Sequence, residues 1–236
     1  MNITNKTILI TGANRGIGQA LVTEALKRGA KRIYAGTRVP LKHPDARVIP
    51  LTLDITDPEQ IRQAVQEIAS LDMLINNAGI ASFDNLSDRE MITKHLDVNL
   101  FGTYDLTQAF LPLLIGSGGA IVNILSIVSL APLPPIASYS ISKAALFSMT
   151  QSLRAYMTGK GVNVHAVLTG PVDTDMNRGF DIPKASPESA AAAIFDGVER
   201  GEEEIFPEPM SASMAESWRN GSVKAMERQN AAFVQA

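Results

Sequence analysis

The chain has no cysteine, one tryptophan and three histidines in 236 residues. Without thiols there is no disulfide, no thiolate metal site and no cysteine nucleophile. His43, His95 and His165 stand far apart and form no pair at ligand spacing, so no metal is expected. Charge of one sign is also scarce. Against 21 Lys and Arg stand 24 Asp and Glu, a net charge of −3. That balance offers no electrostatic footprint for nucleic acid or an anionic membrane. Long unbroken apolar runs are missing as well. The most apolar long stretch, 119–137, is interrupted by Asn123, Ser126, Ser129 and prolines, and is too broken to span a bilayer. No charged-then-apolar leader precedes the first apolar run, so no secretory signal is read. The expectation is a soluble, cytoplasmic protein.

What is present is apolar residue in quantity, 45% of the chain, enough for one sizeable core. Short apolar runs alternate with longer helical patterns. The runs at 7–11, 32–36, 48–53, 73–76, 120–125, 162–168 and 204–206 read as strands. Several are continuously apolar, as strands buried on both faces are. Helical patterns cover 17–28, 59–69, 89–115 (as two helices), 138–157 and 187–200, with a last helix near 211–232. Such alternation predicts an α/β fold, a doubly wound, Rossmann-type parallel sheet of about seven strands with helices on both faces. One domain over 1–236 is expected, with a small substrate loop near 175–186. Only residues 37–47 separate the second and third strands, so a helix there should be very short or absent.

Residues 11–18 read Thr-Gly-Ala-Asn-Arg-Gly-Ile-Gly, between the first strand and the first helix. Gly12, Gly16 and Gly18 permit a sharp turn and close approach of a diphosphate, which the free N–H groups of the helix N-terminus would receive. A tight turn without a ligand has the same composition. NAD sites usually carry an acid about 20 residues further on, for the ribose 2′-hydroxyl. Here the second strand runs into Gly36-Thr37-Arg38, and the next acid is Asp45. Arg38, with Arg15 inside the turn, offers guanidinium donors suited to a 2′-phosphate. Two solvated surface arginines are the plainer alternative.

Tyr139-Ser-Ile-Ser-Lys143 places a phenol and an ammonium one helical turn apart. An ammonium favours the phenolate, and a pKa near 7 needs about 4 kcal/mol of differential stabilisation. The spacing alone is not diagnostic, because Tyr156 and Lys160 repeat it at a helix C-terminus and read as structural. Context separates the pairs. Ser126 ends a strand thirteen residues before Tyr139, Asn76-Asn77-Ala78-Gly79 ends the fourth strand, and Gly170 to Thr174 follows the sixth. All fall at carboxyl strand ends, where open α/β sheets bind ligands.

With these motifs in this order the chain resembles the short-chain dehydrogenase/reductase family over nearly its whole length. The resemblance implies that Tyr139 exchanges the proton of a carbonyl or alcohol oxygen and that Ser126 polarises that oxygen. Lys143 would bind the nicotinamide ribose and lower the tyrosine pKa, and Asn99 would hold a proton-relay water. Gly12, Asn14, Arg15, Gly16, Ile17 and Gly18 would cradle the diphosphate. Asp54 and Ile55 would contact the adenine, and Asn77, Ala78 and Gly79 would line the cleft. Pro171, Val172 and Thr174 would hold the nicotinamide end, and Arg15 with Arg38 looks like the NADP-preferring variant. The implied activity is NADP(H)-dependent hydride transfer to or from a small carbonyl or alcohol, in a homodimer or homotetramer. Three departures stand out: the shortened segment after the second strand, Thr169 before Gly170, and a small lid.

The apolar stretch 127–135, with Met176, Phe180 and Ile182 on the lid, suits a hydrophobic carbonyl substrate, or simply packs the loop. Met214, Trp218 and Ala225 near helical spacing read as core or subunit contact. The competing function is an NADP(H)-binding sensor without turnover, against which the complete Asn99, Ser126, Tyr139 and Lys143 set argues. Enoyl reduction on the same fold fits less well with the Ser126 to Tyr139 spacing.

Overall fold

A computed structural model describes residues 1–39 and 41–234. Pro40, within the short segment 37–47, and the last two residues of the expected 1–236 unit lie outside the described residues. Seven strands are found among the rest: β1 (Thr7–Thr11), β2 (Arg32–Thr37), β3 (Val48–Thr52), β4 (Met73–Asn76), β5 (Ala120–Ile124), β6 (Asn163–Val167) and β7 (Glu204–Ile205). All pair in parallel, in the order β3-β2-β1-β4-β5-β6-β7. The chain winds outward from β1 to β3, then returns to place β4 on the other side of β1. The order therefore reverses between β1 and β4, and a crevice opens beyond their carboxyl ends.

The period-two alternation of each strand divides the core. Ile8 and Ile10 of β1 face α1 (Gly16–Lys27) and α6 (Pro187–Arg200), and join Leu21, Ala25, Ile194 and Phe195. Leu9, between them, faces the opposite layer with Leu74, Ile121, Leu106, Phe110 and Leu114. That layer is α2 (Pro58–Glu67), α4 (Thr103–Ser117) and α5 (Ala137–Met157). Helix starts follow local chemistry. Asp57 accepts from the amides of Glu59 and Gln60 with Pro58 first in α2, and Ser186 caps α6 ahead of Pro187. Gly201, at φ 73°, ends α6.

The structure agrees with the sequence reading at the short connection after β2 and departs from it in two other places. No helix lies among described residues 38, 39 and 41–47. There Arg47 folds back on Asp45, whose carboxyl is held down to about 2 by that hydrogen-bonded guanidinium. Residues 89–115 do not break into two separate helices. α3 (Arg89–Leu96) runs through one wide π-helical turn, Asp97–Gly102, directly into α4. The expected last helix is three pieces: α7 (Pro209–Ala212), α8 (Ala215–Arg219) and α9 (Ser222–Ala231). Gly221 ends α8 against the Ser217 carbonyl, where a Cβ would stand 2.8 Å away. The apolar stripe breaks with the helix. Trp218 packs on Phe147, ring centroids 5.5 Å apart, while Ala225 is exposed.

Candidate active site

The crevice holds a cavity of about 630 Å³. Its first wall is the turn after β1. Gly12 and Gly16 have φ of 63° and 54°, in the left-handed region. Gly18 answers a different constraint: a Cβ there would stand 2.1 Å from the Gly12 carbonyl oxygen. The turn therefore folds flat onto its own helix, and the first-turn amides of α1 face the cavity without helical acceptors. This cradle fits a diphosphate.

The turn is stitched to the end of β4. The amides of Asn77 and Ala78 each donate to Thr11 Oγ1 at 3.0 Å, and Asn77 Nδ2 donates to the carbonyls of Thr11 and Gly12 at 2.9 and 3.2 Å. The Asn77 side chain thus holds the cradle, while its neighbours Ala78 and Gly79 line the cleft. Asp54 turns its carboxylate onto the amide and hydroxyl of Thr56 at 2.9 and 2.7 Å, and Ile55 is buried beside it. Arg38 is exposed on the cavity wall just past β2. Arg15 pairs with Asp175 of the lid at 2.9 Å, a contact not anticipated from sequence.

Ser126, Tyr139 and Lys143 meet on the same cavity. Ser126 comes just after β5 and accepts from the Val128 amide at 3.3 Å. Tyr139 lies in the first turn of α5, and Lys143 one turn later. Burial pushes the Tyr139 phenol up to about 12, with the Ser126 hydroxyl pulling the other way. Burial pushes the Lys143 ammonium down to about 8. Lys143 Nζ donates to the Ile124 carbonyl at 2.7 Å and stands 5.7 Å from the centre of the tyrosine ring. The ammonium is thus aimed away from the phenol, and burial sets the phenol above its ordinary value. Desolvation outweighs an ammonium that is directed at a carbonyl. Tyr156, 57% exposed, and Lys160, beyond the end of α5, take no part in the cavity.

Asn99 is the one expected catalytic residue that is off the cavity wall. It is fully buried in the π-helical turn. Nδ2 donates to the Ile80 carbonyl and to Ser142 Oγ, both at 2.9 Å, and Oδ1 accepts from the Ile80 amide at 2.8 Å. Both of its N–H groups are spent tying the segment after β4 to α5. Its side chain fixes the wall at Ile80.

Apolar side chains line the cavity as well. Phe83 and Phe180 meet with ring centroids 5.3 Å apart, near Ile127, Leu133, Met176 and Ile182. The lid is closed at its base, where the amide of Asp173 donates to the carbonyl of Ala185 and that of Ala185 to the carbonyl of Pro171. Pro171, Val172 and Thr174 line the cavity from the lid's first limb. Sequence reasoning missed Phe83, Met210 and two carboxylates, the half-buried Asp84 and the buried Glu208. Asp84 accepts from the amide and hydroxyl of Ser138, both at 3.0 Å, and so holds the residue before Tyr139. Glu208 accepts from the amide of Gly170 at 2.8 Å. The run Glu208-Pro-Met-Ser211 carried a helix-start signal, with proline in first position and a reciprocal cap.

A parallel sheet with a phosphate cradle at its switch point and a tyrosine, serine and lysine beside it defines a dinucleotide-dependent oxidoreductase architecture. The family model described as short chain dehydrogenase matches residues 6–184. The chain belongs to the short-chain dehydrogenase family. It is 33% identical over 227 residues to the 11-beta-hydroxysteroid dehydrogenase-like 2 of Arabidopsis thaliana, covering 85% of this chain and 73% of that one. It is 35% identical over 179 residues to the NADPH-dependent 1-acyldihydroxyacetone phosphate reductase of Schizosaccharomyces pombe, covering 72% and 60%. Its fold matches the crystal structure of a short chain dehydrogenase from Burkholderia cenocepacia J2315 in complex with NADP. There the TM-score is 0.89 and the identity 36%, over 97% of this chain and 98% of that one.

Proposed function

We propose that this protein is an NADP(H)-dependent carbonyl reductase acting on uncharged, apolar ketones or aldehydes, and on the matching alcohols in reverse. The observation that carries the reading is the convergence of Ser126, Tyr139 and Lys143 on a cavity that Phe83, Leu133, Phe180 and Ile182 also line. With its pKa at about 12, the phenol keeps its proton at neutral pH. Tyr139 is thus set as a general acid toward a carbonyl oxygen held by the Ser126 hydroxyl. NADP(H), when bound, supplies the hydride. Gly12 to Gly18 would receive its diphosphate, Arg15 and Arg38 its 2′-phosphate, and Pro171 to Thr174 its nicotinamide end. The charged side chains on the cavity, Arg15, Arg38, Asp54, Lys143 and Asp175, belong to the cradle, the sheet edge, α5 and the first lid residue. With those charges assigned to the cofactor, the apolar side chains of Phe83, Leu133, Phe180 and Ile182 are left for the substrate, and they offer no partner to a phosphate or carboxylate.

The same reading makes the chain one dinucleotide-binding unit with 175–186 as its substrate loop, working in the cytoplasm. Among the described residues no helix is long and apolar enough to cross a membrane. The alternative of binding without turnover has no observation in its favour. The test is NADPH consumption with a panel of ketones and aldehydes, paired neutral and acidic. Turnover is expected with neutral aromatic and aliphatic carbonyls, and not with their phosphorylated or carboxylated analogues. Arg38→Asp should weaken NADPH binding by about tenfold or more and leave NADH nearly untouched, because it sets a like charge against the 2′-phosphate. Wild-type affinity for NADH equal to that for NADPH would remove Arg15 and Arg38 from this role.

A further inference from the structure

Glu208 stands 38 residues from Gly170 in sequence, just after β7, and is 5% exposed. Its carboxylate gathers three backbone amides. Oε1 accepts from Gly170 at 2.8 Å and from Ser211 at 2.6 Å, and Oε2 accepts from Met210 at 2.8 Å. Ser211, fully buried, returns its hydroxyl to the Glu208 backbone at 3.1 Å. The last two amides belong to the short helix α7, so half of this arrangement is an ordinary helix cap. The other half is not. Gly170 opens the limb that carries Pro171, Val172 and Thr174 onto the cavity, and Met210 is itself on the cavity wall. A Cβ on residue 170 would stand 2.5 Å from Oε1, so the glycine is what lets the carboxylate approach. Side-chain length points the same way. Asp, Asn, Ser and Thr are the usual caps. Glutamate is one methylene longer than aspartate, and that methylene carries the cap across to Gly170.

We propose that Glu208 is a positioning residue for the cofactor: through the Gly170 amide it fixes the limb 170–174 that receives the nicotinamide end. The inference rests on the proposed role of that limb as the nicotinamide seat. Hydrogen bonds to a charged acceptor are about twice as strong as neutral ones, and a buried backbone N–H that loses its acceptor is costly. The limb is therefore held in one setting before the cofactor arrives, and the affinity for the nicotinamide half carries the benefit.

Glu208→Asp separates the two halves of the arrangement. It keeps the charge and the cap on Met210 and Ser211 and gives up the reach to Gly170. The probes are NADPH and 2′,5′-ADP, which shares the adenine, ribose and 2′-phosphate and lacks the nicotinamide. Both are titrated against wild type and variant, alongside thermal melts. The expected result is a loss of about tenfold in NADPH affinity, unchanged 2′,5′-ADP affinity and a melting temperature close to wild type. Glu208→Ala should lose the cap as well and show the NADPH defect together with a lowered melting temperature. Unchanged NADPH affinity in Glu208→Asp overturns the role of Glu208. So does an equal loss for both ligands, which would mark a purely structural residue. If wild type itself binds NADPH no more tightly than 2′,5′-ADP, the reading of the limb fails, and the proposal fails with it.

Discussion

Burial acts on the two titrating groups of the site in opposite senses. It removes water from the charged form of each, so the Tyr139 phenol rises to about 12 and the Lys143 ammonium falls to about 8. The lysine therefore costs the fold something. Below pH 8 the amine is protonated both folded and unfolded, and the cost is complete. Between pH 8 and its ordinary 10.5 the folded protein has released a proton that the unfolded chain still holds, and the cost fades. Lys143→Met should raise stability at pH 7 by on the order of 1 kcal/mol, net of the lost bond to Ile124, and abolish turnover. Denaturant melts at pH 7 and pH 10 check this, the advantage shrinking at the higher pH. Tyr139 runs the other way: the folded state keeps a proton that the unfolded state loses from pH 10, so its contribution is lost as pH rises toward 12. In catalysis the phenol matters through its proton. Tyr139→Phe keeps the ring and should lower turnover by about 10²- to 10⁴-fold, leaving NADPH affinity near wild type. Tyr156→Phe, on the exposed decoy pair, should leave the rate unchanged. Reversal of these two outcomes in a rate assay would move the site elsewhere.

At the scale of elements, the site is made by where strands stop. Thr11, Asn76 and Ile124 end β1, β4 and β5, and the segments after all three line one crevice. Gly18 shows how little room the first of these endings leaves. Gly18→Ala would bring a Cβ to within 2.1 Å of a carbonyl oxygen, so the cradle must open. NADPH affinity should fall by more than about tenfold with the far-ultraviolet circular dichroism retained. Gly116→Ala, in α4 with open space around it, is the control and should stabilise slightly. These endings were legible in the sequence because they are local: an apolar run, then glycine, asparagine or serine. The continuity of α3 into α4 was not legible, since a π-helical turn adds one residue per turn without a residue type of its own. The broken end of the chain was obscured by apolar spacing that continues across Gly221. The carboxylates of Asp84 and Glu208 were hidden for a different reason. Each looks like a solvated acid until the fold brings amides to it from distant segments.

For the whole molecule the question is what remains uncovered. Both faces of the sheet are covered by helices, yet the outer side of α5 carries no charge between Ala137 and Leu153 except the buried Lys143. Ile141, Ala144, Ser148 and Ser152 are exposed along it, and Phe101 and Tyr104 are exposed where the π-helical turn meets α4. Small and apolar side chains on a long exposed helix let a second helix approach closely, and a twofold axis would pair that face with itself. The C-terminal end is held differently. Lys224 of α9, 1% exposed, pairs with Glu203, Glu204 and Glu227 at 2.7 to 2.9 Å, and Arg154 of α5 joins Glu204 and Glu227. That cluster satisfies its charges internally and leaves α5's uncharged face as the surface to be covered. We propose a homodimer or homotetramer assembled there. Sedimentation at micromolar concentration should show a multiple of the 25.3 kDa chain. Ala144→Arg, which sets a long cation on that face and its symmetry mate, should shift the population to monomer without disturbing the far-ultraviolet spectrum. A wild-type protein that sediments only as monomer would mean that this face stays open to solvent.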